Sequence, residues 1–99
     1  MLNRIKNIIE VKPFAIKCEW TNGEIRLIDF QLLKKELGNE VLFNKILQPE
    51  IFKQVKLDAS SKTLYWDNMM PYTDYDGSKK IGPLDFCPDV LYQQSQLVA

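Results

Sequence analysis

The sequence contains no histidine. Imidazole is the usual general base near neutral pH, and Ser-His-Asp and Cys-His nucleophilic systems require it, so the common hydrolase mechanisms are excluded. A zinc ion would have only cysteine and carboxylate ligands. The sequence therefore predicts a protein that is not an enzyme, and no catalytic residue is assigned.

Cysteine and glycine are also scarce, with two Cys and four Gly in the chain. Cys18 and Cys87 are far apart and form no Cys-x-x-Cys motif, which favours two free, buried thiols over a disulfide. The glycines form neither a phosphate-binding loop nor a dinucleotide fingerprint. No cofactor and no bound metal are predicted.

The chain has no net charge and no long apolar run. Thirteen Lys and Arg balance thirteen Asp and Glu, so no global field attracts nucleic acid or an acidic membrane surface. No run approaches the roughly 18 apolar residues of a membrane span, and the N-terminal stretch lacks the apolar region of a signal peptide. We expect a cytoplasmic protein for which nucleic acid and membrane are not partners.

The length of 99 residues suits one globular domain spanning 1–99, with a tail at 93–99 that is expected to fray. A strand is predicted at 5–11, and alternating apolar and polar residues predict two more at 15–20 and 24–28. Asn22-Gly23 lies between the last two and predicts a hairpin with a type I′ turn. Pro13, which cannot donate a ladder hydrogen bond, should end the first strand.

A second hairpin is predicted from strands at 55–58 and 63–66. Between the hairpins, Asp29 is a suitable cap for a helix that Gly38 ends, and the face to be buried contains Phe30, Leu33 and Leu37. Further short helices should begin near Asn39, Pro49 and Pro88. The predicted fold is α+β: a small antiparallel sheet of two hairpins and an N-terminal strand, short helices on one side, and a C-terminal helix.

The stretch PYTDYDGSKKIGP at 71–83 is rich in turn formers and predicts a long loop. A calcium loop does not fit: with Gly77 at the sixth position, Tyr72 takes the first ligand position and Pro83 the place of the bidentate Glu. Asp74 and Asp76 are loop neighbours, and an acid-base pair must instead face each other across a cleft. Asx turns, in which Asp oxygens accept from nearby amides, are the favoured interpretation.

The aromatic residues around this stretch fall into two groups. Trp20, Trp66, Phe86 and Tyr92 are predicted to be core. A turn-rich loop has little interior to offer the remaining side chains, and Tyr and Met are enriched at protein interfaces. The predicted interface therefore consists of Met69, Met70, Tyr72, Tyr75 and Asp76.

Four phrases carry a family resemblance: CEWTNGEIRLIDF at 18–30, LQPEIFKQVKLD at 47–58, TLYWDN at 63–68 and CPDVLY at 87–92. Their order resembles the bacterial domain-of-unknown-function family 2442 over about residues 11–92. That resemblance implies a small α+β protein of a kind often encoded beside a toxin-like protein. It implies a non-enzymatic, antitoxin-like interaction module of a toxin-antitoxin type pair, whose partner is a small protein encoded by the adjacent gene.

The chain departs from this family at 69–84, which is longer than the usual link and suggests an inserted recognition surface. Some relatives carry a helix-turn-helix for which there is no room after Tyr92, so DNA autoregulation is not expected. Two alternatives stay open. The chain could form a homodimer, or it could be a small-ligand-binding or regulatory domain with a pocket between the sheet and the closing helix.

Overall fold

A computed structural model describes residues 3–98 of the chain. The described residues contain seven strands in two antiparallel sheets and four short helices, so the predicted α+β class is confirmed. The strands form two sheets where a single sheet was expected. In chain order the elements are β1 (Ile5–Lys12), β2 (Ala15–Trp20), β3 (Ile25–Asp29), α1 (Phe30–Leu37), α2 (Glu40–Ile46), α3 (Pro49–Phe52), β4 (Lys56–Leu57), β5 (Leu64–Thr73), β6 (Lys79–Asp85), α4 (Pro88–Gln93) and β7 (Gln96–Leu97).

The first sheet has the strand order β1-β2-β3-β7. Its central strand β2 alternates as predicted, with Ile16, Cys18 and Trp20 buried and the residues between them half-buried. Cys18 pairs with Ile8 of β1 and with Arg26 of β3. The three N-terminal strands predicted from the sequence are therefore confirmed.

The turn between β2 and β3 differs from the prediction. Gly23 has φ 89°, but Asn22 is not in the left-handed region, so the predicted type I′ turn is wrong. The Gly23 N–H donates to the Trp20 carbonyl oxygen at 2.9 Å, and the Trp20 N–H donates to the Glu24 carbonyl oxygen at 2.8 Å. The result is a three-residue loop, in which only the last residue needs a positive φ.

Helix α1 begins and ends where the sequence indicates. Asp29 accepts hydrogen bonds from the N–H groups of Gln31 and Leu32 at 3.0 and 3.2 Å, and Gly38 closes the helix with φ 69°. Leu37 was predicted to be buried, yet 46% of it is exposed. The core covers only the part of the helix that carries Phe30 and Leu33.

The C-terminal tail does not fray where it is described, so the prediction for 93–99 is wrong up to residue 98. Strand β7 pairs with β3, with Leu97 opposite Arg26. The Arg26 guanidinium donates to the Ser95 hydroxyl at 2.6 Å and to the Ser95 carbonyl oxygen at 3.1 Å. These partners are 69 residues apart, so no local pattern indicates the contact. Ala99 lies outside the described residues.

The core contains buried residues from both sheets and from all four helices. Its centre is a group of aromatic rings packed mainly edge to face, with neighbouring centroids 5.2–5.9 Å apart. The rings belong to Phe30, Phe52, Trp66 and Phe86. The predicted burial of Trp20, Trp66 and Phe86 is confirmed, and Tyr92 is half-buried against Trp20.

Both cysteines are free, as predicted, but their environments differ. Cys18 is buried, and desolvation raises the pKa of its thiol to about 12. Cys87 is exposed, which contradicts its predicted burial. It occupies the N-cap position of α4, without a capping hydrogen bond from its side chain, where the chain leaves the core after Phe86.

The second sheet has the order β4-β5-β6. The predicted second hairpin is confirmed, because Lys56 pairs with Tyr65 and Leu57 with Leu64. The predicted loop at 71–83 is wrong: β5 continues to Thr73 and β6 begins at Lys79, so most of this stretch is strand. The turn-forming residues of this stretch are compatible with a hairpin because each lies at a position of the strand pairing that tolerates it.

Candidate functional site, a projecting hairpin

Residues 69–83 form the distal part of the β5–β6 hairpin, which we call the arm. Between 71 and 83 only Asp74 and Gly82 are half-buried, and all other residues are exposed. A hairpin packed on a core buries one face, so exposure of both faces shows that the arm projects. The principal extents of 47 × 26 × 22 Å and the radius of gyration of 14.0 Å, against about 13 Å for a compact chain of this length, agree with this.

The base of the arm is attached to the rest of the protein at an irregular part of the strand pair. The pairing register shifts between Trp66 and Met70, where three residues of β5 lie opposite Pro83 alone. The Lys45 ammonium of α2 donates to the Met69 carbonyl oxygen at 3.0 Å, within this irregular segment. The bulge therefore marks the point where the strand pair leaves the core.

The tip of the arm is a tight turn at 74–78. The Gly77 N–H donates to the Asp74 carbonyl oxygen at 2.9 Å, with Gly77 at φ 85°. The Asp76 carboxylate accepts from the Ser78 N–H at 2.9 Å and from the Ser78 hydroxyl at 2.6 Å. The predicted Asx-turn chemistry is therefore confirmed.

Both tip carboxylates are stabilised in their charged form. The Lys80 ammonium, 2.6 Å away, is the main cause that lowers the pKa of Asp74 below its usual value. Hydrogen bonds from Ser78 lower the pKa of Asp76. A general acid needs a raised pKa, so this electrostatic arrangement suits a turn and does not suit proton transfer.

The predicted interface residues occupy two parts of the arm. Met69 and Met70 are half-buried at the base and pack against the core. Tyr72 is 50% exposed, and Tyr75 is fully exposed at the tip beside the exposed Asp76. The arm therefore brings all five onto one hairpin, with only the three distal ones freely accessible.

Tyr72 also has a structural contact. A Cβ built on Gly82 would lie 3.2 Å from the Cε1 atom of Tyr72, so the ring lies across the glycine. Gly82 pairs with Met70, and Tyr72 pairs with Lys80, which makes the ring and the glycine diagonal neighbours on one face. Glycine in this strand thus permits close packing of an aromatic ring.

Sequence reasoning missed the face of the arm that lies opposite to Tyr72. Ile81 is 60% exposed and pairs with Pro71, while Thr73 pairs with Lys79 on the same face. The available signal was Asp76-Gly77, a strong hairpin dipeptide, but the prolines and Gly82 indicated a loop.

The space proposed for a ligand between the first sheet and α4 is occupied by side chains. The Arg26 guanidinium lies 4.3 Å from the centroid of the Tyr92 ring, and that ring packs edge to face on Trp20 at 5.1 Å. An open depression of about 550 Å³ lies elsewhere and is lined by residues of α1, the α1–α2 connection, α2 and Leu47. It opens widely to solvent, and Lys34 at its wall is hydrogen-bonded to Asn44.

No family model, no curated protein and no solved structure matches this chain. Across residues 3–98 no helix has both the length and the apolarity to cross a bilayer. In the same part of the chain, no three or more Cys, Asp or Glu side chains are grouped so that they could hold a metal ion. The function is therefore argued from the geometry of the arm.

Proposed function

We propose that this protein is a non-enzymatic interaction module that binds a small partner protein through the arm. The observation that supports this proposal is a strand pair, 71–83, that is exposed on both faces. A two-stranded hairpin without a covering layer is only marginally stable in water, so a bound partner would stabilise it. Its accessible Tyr72 and Tyr75 are of the residue type enriched at the centres of protein interfaces.

The finer proposal is an antitoxin-like role in a bacterial two-protein pair, in the cytoplasm, with the partner encoded by the adjacent gene. The motif resemblance to family 2442 supports it. The residues of those motifs have structural roles in this fold: Gly23 closes a turn, Asp29 caps α1, Pro49 and Pro88 begin helices, and Trp66 is core. The arm lies outside the motifs, so we assign partner choice to the arm and the scaffold to the shared motifs.

Co-expression with the adjacent gene product tests this proposal. We expect the two proteins to co-elute from a sizing column at micromolar concentration. Tyr75→Ala should weaken the complex about tenfold or more, as loss of an aromatic anchor does, without affecting the core. Val41→Ala is the matched control, because Val41 is 75% exposed on α2 and lies outside the arm.

Separate elution would contradict the two-protein proposal. Equal weakening by Val41→Ala and Tyr75→Ala would contradict a binding site on the arm. A homodimer is the remaining alternative, and it would appear in the same experiment as a doubled mass of the protein alone.

A further inference from the structure

We propose that the arm binds its partner by β-strand addition at the free edge of β6, and that the added segment is an extended, acidic stretch of a different protein. This inference rests on the proposed interaction function and specifies the chemistry of the partner. In such binding, main-chain hydrogen bonds supply affinity and alternate side chains supply specificity.

The position of Pro71 indicates which backbone groups of the arm point outward. In an antiparallel pair, hydrogen-bonded and non-hydrogen-bonded residue pairs alternate. Pro71 has no N–H, so its pair with Ile81 must be of the non-hydrogen-bonded kind. Asp74 and Ser78 lie three positions further along the same pair of strands, where the alternation requires a hydrogen-bonded pair. The Asp74 N–H does donate to the Ser78 carbonyl oxygen, which agrees with this assignment. The N–H and C=O groups of Ile81 and Lys79 therefore point away from β5.

The two edges of the arm differ in what they offer. Strand β4 pairs only with the proximal end of β5, so the distal part of β5 has a free edge too. That edge presents Pro71, which lacks an N–H, and Thr73. The β6 edge presents complete peptide groups at two successive outward positions, Lys79 and Ile81, before it reaches Pro83, which also lacks an N–H. Neither Lys79 nor Ile81 bonds to another segment through its backbone in residues 3–98. The β6 edge is thus the one suited to accept a strand.

The side chains beside this edge indicate the chemistry of the partner. Lys80 is paired with Asp74 at 2.6 Å, whereas Lys79 is exposed and has no ion pair among the residues that the structure describes. Ile81 is 60% exposed on the same face as Lys79. A strand with a carboxylate beside Lys79 and an apolar residue beside Ile81 would complement both.

A second copy of the chain fits this edge less well. Antiparallel pairing of two β6 edges centred on Lys79 or on Lys80 would place that lysine opposite its equivalent in the other copy, and like charges opposite each other are destabilising. Lysine on an edge strand is also a common protection against self-pairing. The charges therefore favour an acidic partner of different sequence.

Selection from a displayed library of short random peptides tests the proposal without a known partner. We expect enriched peptides to carry Asp or Glu two residues away from a β-branched or aromatic residue, so that both lie on the face of Lys79 and Ile81, and to lack proline. Their affinity should fall about tenfold or more for Ile81→Pro, which removes an outward N–H but no ladder bond. Ile81→Thr retains that N–H and should bind much more tightly than Ile81→Pro.

Charge reversal provides a second variant in case Ile81→Pro perturbs the arm. Lys79→Glu should weaken the enriched peptides about tenfold at low salt and less at high salt, because exposed charges are screened. Lys35→Glu makes the same change in net charge on α1 and should leave binding unaltered. Circular dichroism and the Tyr72 ring signals would establish that each variant is folded.

Three outcomes would overturn the proposal of an acidic strand from a different protein: no peptide is enriched over the Ile81→Pro protein, the peptides are insensitive to Lys79→Glu, or the protein is a dimer that Ile81→Pro converts to a monomer. The last result would assign the edge to a second copy. A natural partner that co-elutes equally with wild type and Ile81→Pro would contradict strand addition alone. Peptide binding at the edge without a co-eluting gene product would contradict the two-protein pair alone.

Discussion

The β2–β3 hairpin and the arm have the same turn but different surroundings. In each, the glycine N–H donates to the carbonyl oxygen three residues earlier, at 2.9 Å. In each, the residue before the glycine accepts from the N–H of the residue after it: Asn22 at 3.0 Å and Asp76 at 2.9 Å. The chain therefore forms turns with the same hydrogen bonds at both hairpin tips.

The hairpins differ in what covers their strands. At the first tip, Asn22 donates to the Tyr92 hydroxyl at 3.2 Å, and that hydroxyl donates to the Glu24 carboxylate. At the arm tip, every described side-chain hydrogen bond stays within the arm. Turn chemistry thus establishes that a hairpin forms, and long-range contacts decide whether it is core or surface.

The largest expected loss of stability distinguishes the buried end of β5 from its exposed end. Trp66→Ala should lower the free energy of unfolding by about 3–5 kcal/mol, because the ring is 1% exposed and its loss leaves a cavity. Its Nε1–H also donates to the Phe52 carbonyl oxygen at 3.2 Å. Urea unfolding measures the change. Tyr72→Ala on the same strand is the control and should cost less than about 1 kcal/mol; similar losses would mean that the arm is part of the core.

A matched pair of glycine substitutions compares the turns directly. Gly23 and Gly77 have φ 89° and 85°, and neither would place a new Cβ within 4 Å of other atoms, so alanine introduces the same backbone strain. Gly23→Ala should lower the free energy of unfolding by about 1 kcal/mol. Gly77→Ala should lower it less than half as much, because the arm can open without unfolding the core. Equal losses in urea unfolding would show that the arm and core unfold together.

Removal of the Tyr92 hydroxyl should leave the tip of the β2–β3 hairpin without its long-range hydrogen bonds, as at the tip of the arm. Tyr92→Phe deletes the bonds to Glu24 and Asn22 and should cost about 1 kcal/mol. Thermal unfolding and faster amide exchange at the first tip would measure it. Tyr65→Phe is the control, since no hydrogen bond of the Tyr65 hydroxyl is found in residues 3–98. An equal loss of stability in Tyr65→Phe would mean that the hydrogen bonds of the Tyr92 hydroxyl do not stabilise the fold.

The smallest expected effect is a difference in acid response. The pKa of Asp76 is lowered in the folded protein, so its stabilisation is present above the ordinary value of 3.8 and is lost as the pH falls through the folded value. Asp76→Asn should leave the free energy of unfolding nearly unchanged at pH 7. The new amide oxygen can accept from the Ser78 N–H, as the Asn22 amide oxygen accepts from the Glu24 N–H. The Gly77 and Ser78 amide signals should change less below about pH 4 in Asp76→Asn than in wild type.

Titration of Asp74 should remain in both proteins and acts as an internal reference. The pKa of this carboxyl is also lowered, mainly by Lys80, so its contribution is lost in the same direction of pH. An identical acid response of Gly77 and Ser78 in wild type and Asp76→Asn would contradict the role given to Asp76.

The elements that were correctly predicted depend on neighbours in sequence. Asp29 and Gly38 bracket α1 because a cap and a left-handed stop each act within a few residues. The β2 strand follows from strict alternation. The candidate site was found only in part: Tyr72 and Tyr75 were selected as accessible aromatics, but Ile81 was missed because its partner Pro71 was taken as a loop former.

What the sequence alone determined is the set of local structures: the two ends of α1, the alternating strand β2 and the β2–β3 hairpin, together with the absence of imidazole chemistry. Tertiary structure decided that residues 96–97 join β3, because Arg26 binds Ser95 across 69 positions of sequence. It also decided that β5 and β6 continue beyond the core with an open edge. The physical reason is that pairing and burial depend on which distant segments supply partners, and residue patterns report only their own neighbourhood.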